Sequence, residues 1–427
     1  MNEADKFALV PRPPGALEKA EPGATRVLGG MVKDALVLAR SKVEAQNIPG
    51  LPCGSSDDLE TWFQKGVSYY YGNGAPKDYA EAARWFRKAA ERGHASSQLY
   101  LGLSHYDGSG LPQDYVGAAS WYRKAAEQGN AIAQKLLGDC YAKGNGVNPD
   151  LPEAVKWYRK AADQGFATAQ TSLGVCHEEG KGVPQDHAEA VKWYHKAGEQ
   201  GFVGAQIRLG LCYEKGKGVP EDCARAVEWF RKAAEQGEAY AQNSLAICYH
   251  FGNGVTQDYA EAVKWYRKAA NQGMAPAQTG LGVCYGQGSG VSQDYGEAAK
   301  WFRKAAEQGD AYGQKNLAFC YRNGNGVQQD YSQAVKWYRK AADQGHESAQ
   351  ESLAACYANG EAAIDDPVDA YQWVKLAEDR GYEGAAKKAV AIKILLTPAE
   401  SQEAERRYNR LRSAKALDAP REIAAAT

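Results

Sequence analysis

Residues 131–165 read AIAQKLLGDCYAKGNGVNPDLPEAVKWYRKAADQG, and variants of this stretch recur along the chain at a spacing of 36 residues. The recurrence is clearest in nine tryptophans, each followed eight residues later by a glycine. These tryptophans are Trp85, Trp121, Trp157, Trp193, Trp229, Trp265, Trp301, Trp337 and Trp373. A fixed period of about 20 to 50 residues is typical of stacked repeats, in which each unit buries its apolar face only against its neighbours. The sequence therefore predicts one elongated repeat domain.

The first half of this stretch predicts a helix, which we call helix A. Ala133, Leu137, Cys140 and Tyr141 follow the spacing i, i+4, i+7, i+8 and so share one helical face. Gly144 comes next and can adopt the left-handed conformation that a helix C-terminus requires. Helix A is therefore expected to end at this glycine.

The second half predicts another helix, which we call helix B. Asp150 is placed to cap its N-terminus, and Glu153, three residues later, is expected to reach back to the cap amide in a capping box. The apolar residues from Ala154 to Ala162 keep the helical period, and Gly165 supplies a C-terminal turn. Each repeat is thus predicted to be a helical hairpin. The capping aspartate recurs at Asp78, Asp114, Asp186, Asp222, Asp258, Asp294, Asp330 and Asp366.

The composition gives no sign of a strongly charged partner. Among 427 residues, 51 are Lys or Arg and 52 are Asp or Glu, so no net field favours nucleic acid or an anionic membrane. The first residues lack a basic start followed by an apolar run, and no stretch approaches about 18 uninterrupted apolar residues. We expect a soluble, cytoplasmic protein that binds no nucleic acid and does not insert into membranes.

Seven of the nine cysteines occupy a single register of helix A. Equivalent positions in stacked hairpins lie about 8 to 10 Å apart at least, which is too far for a disulfide. We expect these residues to be reduced and buried. They are Cys140, Cys176, Cys212, Cys248, Cys284, Cys320 and Cys356.

This unit, with Leu-Gly in helix A, a Gly-x-Gly-Val loop and Trp-Tyr-x-Lys-Ala-Ala in helix B, resembles the Sel1-like repeats, which are relatives of the tetratricopeptide repeat with a longer loop. The resemblance covers roughly residues 59–386. It implies an all-α fold, a right-handed α-solenoid of nine hairpins whose concave face binds other proteins, in a family of adaptors and scaffolds. The expected domains are an N-terminal extension (1–57), the nine repeats (58–386), and a C-terminal capping helix with a frayed tail (387–427).

Both ends of the array carry helical signals. Thr397, Pro398 and Glu400 form an N-cap, a favoured first-turn proline and a capping-box partner, which predicts a terminal helix from 398 to about 412. Before the repeats, apolar residues between Arg26 and Ala45 predict an amphipathic helix. Two interpretations stay open for that helix: it packs on the solenoid, or it is a docking segment that delivers the scaffold to a partner.

No residue pattern points to catalysis, a metal or a cofactor. Histidine and cysteine do not occur at metal-ligand spacing. Glycine-rich loops such as residues 180–186, GKGVPQD, are not preceded by a predicted strand and lack the Lys-Ser or Lys-Thr of a phosphate cradle. The arginines of helix B could form a basic stripe for an acidic partner, but acidic residues at helical spacing favour an ordinary solvated face. We therefore predict a protein that is not an enzyme and needs no cofactor.

Positions of helix A that vary between repeats and lie away from its apolar stripe form the predicted binding surface. The most variable of them are the fifth, ninth and twelfth positions of the helix. The ninth position is largely apolar, and packing between repeats is the other explanation for its character. The candidate partner-binding residues are Lys135, Glu178, Glu214, His250, Lys315, Phe319 and Arg322.

The favoured functional hypothesis is a non-enzymatic scaffold that binds an extended or helical segment of another protein on its concave face. One alternative is a secreted effector or surface factor that uses the same face on host proteins. A second is a penicillin-binding or β-lactamase-like protein with similar repeats. Such proteins carry paired cysteines within each repeat, whereas this chain has one, which argues against that alternative.

Overall fold

The computed structural model describes residues 58–361, 366–382 and 384–418, with side chains up to Ser413. These residues form twenty helices joined by short loops, and the described part of the chain contains no β-strand. Two compact units are present, one ending at Ala241 and the other beginning at Gln242, and we describe them separately as the N-terminal and C-terminal units. The helix predicted between Arg26 and Ala45 lies outside the described residues.

The nine predicted hairpins are all present, each with one helix A and one helix B. The A helices are α1 (Leu59–Tyr71), α3 (Ala95–Asp107), α5 (Ala131–Lys143), α7 (Ala167–Glu179), α9 (Val203–Lys215), α11 (Ala239–Phe251), α13 (Ala275–Gln287), α15 (Ala311–Asn323) and α17 (Glu347–Asn359). The B helices are α2 (Tyr79–Ala90), α4 (Tyr115–Glu127), α6 (Leu151–Asp163), α8 (His187–Glu199), α10 (Cys223–Glu235), α12 (Tyr259–Asn271), α14 (Tyr295–Glu307), α16 (Tyr331–Asp343) and α18 (Pro367–Asp379). Two further helices follow, α19 (Ala385–Leu395) and α20 (Pro398–Asp418).

An aspartate caps every B helix, as predicted. In α6, for example, the Asp150 carboxylate accepts a hydrogen bond from the Glu153 amide at 2.9 Å. The predicted hydrogen bond between the Glu153 side chain and the Asp150 amide is not formed, so that part of the prediction is wrong. The Asp150 amide donates instead to the Tyr141 carbonyl at 2.9 Å. Glu153 instead pairs with Lys156 at 2.8 Å. The aspartate therefore fixes both the helix start and the end of the loop before it.

Seven of the A helices, α3, α5, α7, α9, α13, α15 and α17, pack between two B helices, their own and that of the preceding hairpin. In the N-terminal unit, Tyr122 of α4, Leu137 of α5 and Trp157 of α6 belong to the same buried cluster. The Lys160 ammonium lies 3.9 Å from the centre of the Trp157 ring and covers its outer side. The tryptophans that mark the repeat are therefore part of the packing between helices, and in the first eight repeats a lysine of the same helix lies over the ring.

The two last helices complete the core of the C-terminal unit. Ile392 of α19 and Ala404 of α20 join the buried cluster that contains Trp373. The predicted capping box at the start of α20 is confirmed, since the Thr397 amide donates to Glu400 at 2.9 Å and the Glu400 amide donates to the Thr397 hydroxyl at 3.3 Å. The helix continues to residue 418, beyond the expected end near 412.

Buried glutamines link consecutive hairpins, a feature that the sequence analysis did not identify. The Gln134 side chain of α5 is 5% exposed and donates to the Ala126 carbonyl of the preceding B helix at 3.0 Å. Its own oxygen accepts a hydrogen bond at 2.7 Å from Gln164, which follows α6. The same pair of bonds is made by Gln98, Gln170, Gln206, Gln278 and Gln314. Every member of this set satisfies a carbonyl at the end of a B helix.

Replacing Gln134 with methionine tests how much one of these links contributes. We expect the variant to lose about 2 kcal/mol of unfolding free energy, because the Ala126 carbonyl and the Gln164 amide each lose a partner in a largely buried place. Gln185→Met is a matched control, since Gln185 makes one exposed hydrogen bond to the Glu178 carbonyl. Urea denaturation followed by circular dichroism measures both. Equal losses in the two variants would contradict a special role for the buried glutamine.

Candidate functional site

The side chains that differ between repeats are half-exposed mainly at the ninth and twelfth positions of the A helices, whereas the recurring alanines of the B helices are buried. We call the surface formed by these two positions the A-helix face. Its half-exposed members in the N-terminal unit are Tyr70, Tyr106, Asp139, Ala142, Glu178, Leu211 and Glu214. Those in the C-terminal unit are Ile247, Phe319 and Arg322.

The fifth position of the A helices is buried in the first eight repeats, whereas Glu351 in the ninth repeat is exposed. Lys135 is fully buried and Lys315 is only 6% exposed, so neither side chain lies open at the surface, and their contact with a partner stays a prediction. The reason is that the A helices of both lysines, α5 and α15, pack against helices on two sides, so their buried stripe is wider than a single hairpin suggests. Thr171 and Asn243, which share this position, are buried as well.

Lys135 has its counter-charge one helical turn away. Its ammonium lies 2.6 Å from one carboxylate oxygen of Asp139, and the other oxygen accepts a hydrogen bond from the Tyr158 hydroxyl at 2.8 Å. The half-exposed Asp139 thus lies on the outer side of the buried lysine. The arrangement is a satisfied internal ion pair.

Glu178 and Arg322, both predicted to bind partners, are engaged within the protein. Glu178 accepts hydrogen bonds from the Tyr194 hydroxyl at 2.5 Å and from Arg208 at 2.8 Å. Arg322 makes two hydrogen bonds to Glu361, at 2.7 and 3.0 Å. Burial raises the pKa of Glu361, but the bonds from Arg322 outweigh that effect and hold it below its usual value. Reversing these charges would therefore disturb packing between repeats as well as any partner.

His250, a further candidate, is buried rather than presented to solvent. Its ring lies against Tyr259 and Tyr266, with centroid distances of 5.0 and 6.2 Å, and its Nδ1 is 3.8 Å from the Cys284 sulfur. Burial lowers the pKa of His250 to about 4. The neutral imidazole acts here as a packing residue.

This buried histidine predicts a loss of stability in acid. The unfolded chain binds a proton near pH 6.5, whereas the folded protein does so only near pH 4, so the unfolding free energy falls as pH drops through that interval. The expected contribution is about 2 kcal/mol between pH 7 and 4.5. We expect His250→Gln to show a shallower decline than the wild type in urea titrations. At pH 8 the imidazole is neutral in both states, so the difference there measures packing alone, and parallel curves across the range would contradict the assignment.

The structure describes no metal site or membrane span. No group of three or more His, Cys, Asp or Glu side chains within the described residues is arranged to hold a metal ion. None of the described helices is long and apolar enough to cross a bilayer. The seven cysteines of the A-helix register are buried, and none of them is in a disulfide, as expected.

Comparison with known proteins identifies the repeat. The Sel1 repeat family model matches nine consecutive segments, at residues 64–94, 95–130, 131–166, 167–202, 203–238, 239–274, 275–310, 311–346 and 347–382. The chain belongs to the Sel1 repeat family. Sel1 repeat proteins generally mediate protein–protein interactions, and the repeat scaffold is generally non-catalytic.

Two solved Sel1 repeat structures are similar over most of this chain. A Sel1 repeat protein from Oxalobacter formigenes is 33% identical, with 83% of this chain and 96% of that chain covered and a TM-score of 0.55. A protective antigen of uropathogenic Escherichia coli strains is 32% identical, with 87% and 97% covered and a TM-score of 0.49. A search of curated proteins found no match.

Consecutive Sel1 repeats are also joined on the side of the B helices. Arg267 donates to the Tyr285 hydroxyl of the next repeat at 3.0 Å, and Arg303 donates to Tyr321 at 2.8 Å. His195 takes the place of the arginine in one repeat and lies 2.9 Å from the hydroxyl of Tyr213. Some arginines of this row therefore link consecutive repeats. This argues against the interpretation of the row as a basic stripe for an acidic partner.

Proposed function

We propose that this protein is a scaffold that binds a segment of a partner protein along its A-helix face. One observation supports this above all others. At the ninth and twelfth positions of the A helices, which vary from one Sel1 repeat to the next, ten of eighteen side chains are half-exposed, whereas the recurring alanines of the B helices pack inside and the recurring aspartates cap helices. A regular frame with a variable surface is the arrangement by which repeat proteins achieve specific binding.

The chemistry of the face favours apolar anchoring with polar surroundings. Leu211 of the N-terminal unit and Ile247 of the C-terminal unit are half-exposed aliphatic residues at the ninth position of their A helices. Glu178 is partly neutralised by Arg208, so it offers a fixed hydrogen-bonding group more than a free charge. Interfaces of this kind draw most of their affinity from a few buried apolar contacts. We propose the aliphatic side chains as anchors and the paired polar groups as their rim.

Site-specific photo-crosslinking tests this proposal. The photoreactive residue p-benzoylphenylalanine is introduced at Ala142 or Leu211, both on the A-helix face, in the cells that produce the protein. Ser120 and Glu228, which are exposed on the B helices, serve as matched control positions. We expect crosslinks to a discrete partner from the first pair and not from the second.

The identity of the crosslinked partner is then checked with purified components. Binding of that partner should weaken at least tenfold on Leu211→Asp, because a carboxylate replaces an apolar anchor in the interface. Crosslinking that comes only from Ser120 and Glu228, or binding that is unaffected by Leu211→Asp, would move the partner site away from the A-helix face.

A further inference from the structure

Two buried lysines occupy the same position of the A helix but have different surroundings. In the third repeat, Lys135 binds the carboxylate of Asp139, one turn later in the helix. In the eighth repeat, Lys315 has Phe319 at that place, and its ammonium lies 5.8 Å from the centre of the phenyl ring. Within the described residues, Lys315 forms no ion pair, and its hydrogen bond is a long one of 3.4 Å to the Asn316 side-chain oxygen.

The groups beside Lys315 are also hydrogen-bond donors. Asn316 is fully buried, and its side-chain nitrogen has no partner among the described residues. His346 accepts a hydrogen bond from the Ala349 amide at its Nδ1, which places the proton of the neutral ring on Nε2. That Nε2 is buried and likewise without a partner in the described part of the chain.

The pKa values of His346 and Lys315 agree with a cluster that is rich in hydrogen-bond donors. Burial lowers the pKa of His346, and the nearby Lys315 charge lowers it further, so the ring is neutral. Burial also lowers the pKa of Lys315 to about 8, which is what an ammonium without a carboxylate experiences. The cluster therefore contains more donors than acceptors.

We propose that Lys315, Asn316 and His346 form a receptor for the carboxylate of an acidic side chain on the bound partner segment. The third repeat shows the chemistry, because there a carboxylate lies 2.6 Å from the equivalent ammonium. Phe319 is half-buried and covers Lys315, so the incoming side chain displaces the phenyl ring. This inference rests on the proposed function and adds the chemical nature of one partner residue.

The test uses the full chain labelled with 13C-lysine, and follows the pKa of Lys315 by NMR. The probes are the blocked peptides acetyl-Ala-Glu-Ala-amide and acetyl-Ala-Gln-Ala-amide at equal millimolar concentrations, with inorganic phosphate as a third probe. We expect the glutamate peptide to decrease the acid dissociation constant of the Lys315 ammonium about tenfold, because the carboxylate stabilises the charge. The glutamine peptide should leave it unchanged. An equal response to both peptides, or to phosphate, would overturn the proposal.

Variants at Phe319 give an independent measure. Phe319→Asp supplies the carboxylate from within the helix, so the Lys315 pKa should rise without peptide and the response to the glutamate peptide should disappear. Phe319→Ala removes the cover and should strengthen that response. Leu211→Asp is the matched control, because Leu211 shares the ninth position and Ile207 precedes it by one turn. This variant should leave both the Lys315 pKa and its response to the glutamate peptide as in the wild type.

The outcomes separate this inference from the proposed function. If the Lys315 pKa is insensitive both to the glutamate peptide and to Phe319→Asp, the carboxylate receptor is wrong. Crosslinking from Ala142 and Leu211 would still stand in that case, because neither residue belongs to the receptor. If Lys315 responds to the glutamate peptide but no partner crosslinks at Ala142 or Leu211, carboxylate binding at Lys315 stands, and the partner site does not include those two positions.

Discussion

Replacing Asp139 with leucine should lower the unfolding free energy by about 3 to 5 kcal/mol, although leucine occupies the same position of the A helix two repeats later. The cause is Lys135, whose fully buried ammonium lies 2.6 Å from the Asp139 carboxylate and would lose its counter-charge. The Tyr158 hydroxyl would lose an acceptor at the same time. Urea denaturation gives the magnitude, and amide hydrogen exchange in α5 and α6 shows whether the loss is local.

The chain itself supplies the control for this experiment. In the fifth repeat the two positions are Ile207 and Leu211, an apolar pair of comparable size. The double variant Lys135→Ile with Asp139→Leu copies that pair into the third repeat. We expect it to unfold within about 1 kcal/mol of the wild type, because removing both charges leaves no buried ion unpaired. If the double variant is as unstable as Asp139→Leu, the ion pair is not the reason.

Gly146→Ala is the second change with a large expected effect, about 3 kcal/mol or more. Gly146 has a φ of 73°, which costs an alanine about 1 to 2 kcal/mol. An added Cβ would also lie 1.9 Å from the carbonyl oxygen of Tyr115, at the start of the preceding B helix. Since this neighbour is backbone, the loop or α4 must shift to admit the methyl group.

Gly165→Ala separates the two causes. Its φ of 84° is equally unfavourable for alanine, but a Cβ there would meet nothing within 4 Å. We therefore expect a loss of about 1 to 2 kcal/mol, from conformation alone. Thermal or urea unfolding of both variants tests the difference. Similar losses would show that the close approach between Gly146 and Tyr115 has little energetic weight.

Most of the fold could be predicted from the sequence because the same helix signals occur in nine repeats. The 36-residue period, the glycines after each helix and the capping aspartates define both helices of every hairpin. Helix α19 was missed because Ala385–Leu395 lies outside the period and begins after Gly384, which makes no side-chain cap. Helix α19 spans residue 386, where the repeat domain was expected to end. Its residues pack in the cluster that contains Trp373, and the sequence pattern of a single hairpin does not show such a contact.

The candidate surface was harder to predict. A helical wheel places Lys135 opposite the apolar stripe of its own helix, but it contains no information on a second neighbour that packs there. The burial of Lys315 and His250 has the same origin, because a polar side chain in a variable register suggests solvent when only one hairpin is considered. The glutamine links could have been found, since Gln134 and Gln164 recur with the same 36-residue spacing as the tryptophans.

The glutamine links also bear on how a protein of this kind can change its length. Gln134 reaches back to Ala126, and Gln170 reaches back in the same way to Ala162. Excision of residues 131–166 would bring Gln170 opposite the Ala126 carbonyl, with an identical partner at an identical separation along the chain. We expect the shortened protein to fold with its remaining links intact. Gain or loss of whole hairpins is therefore a route by which such a gene can lengthen or shorten its product without redesigning any junction.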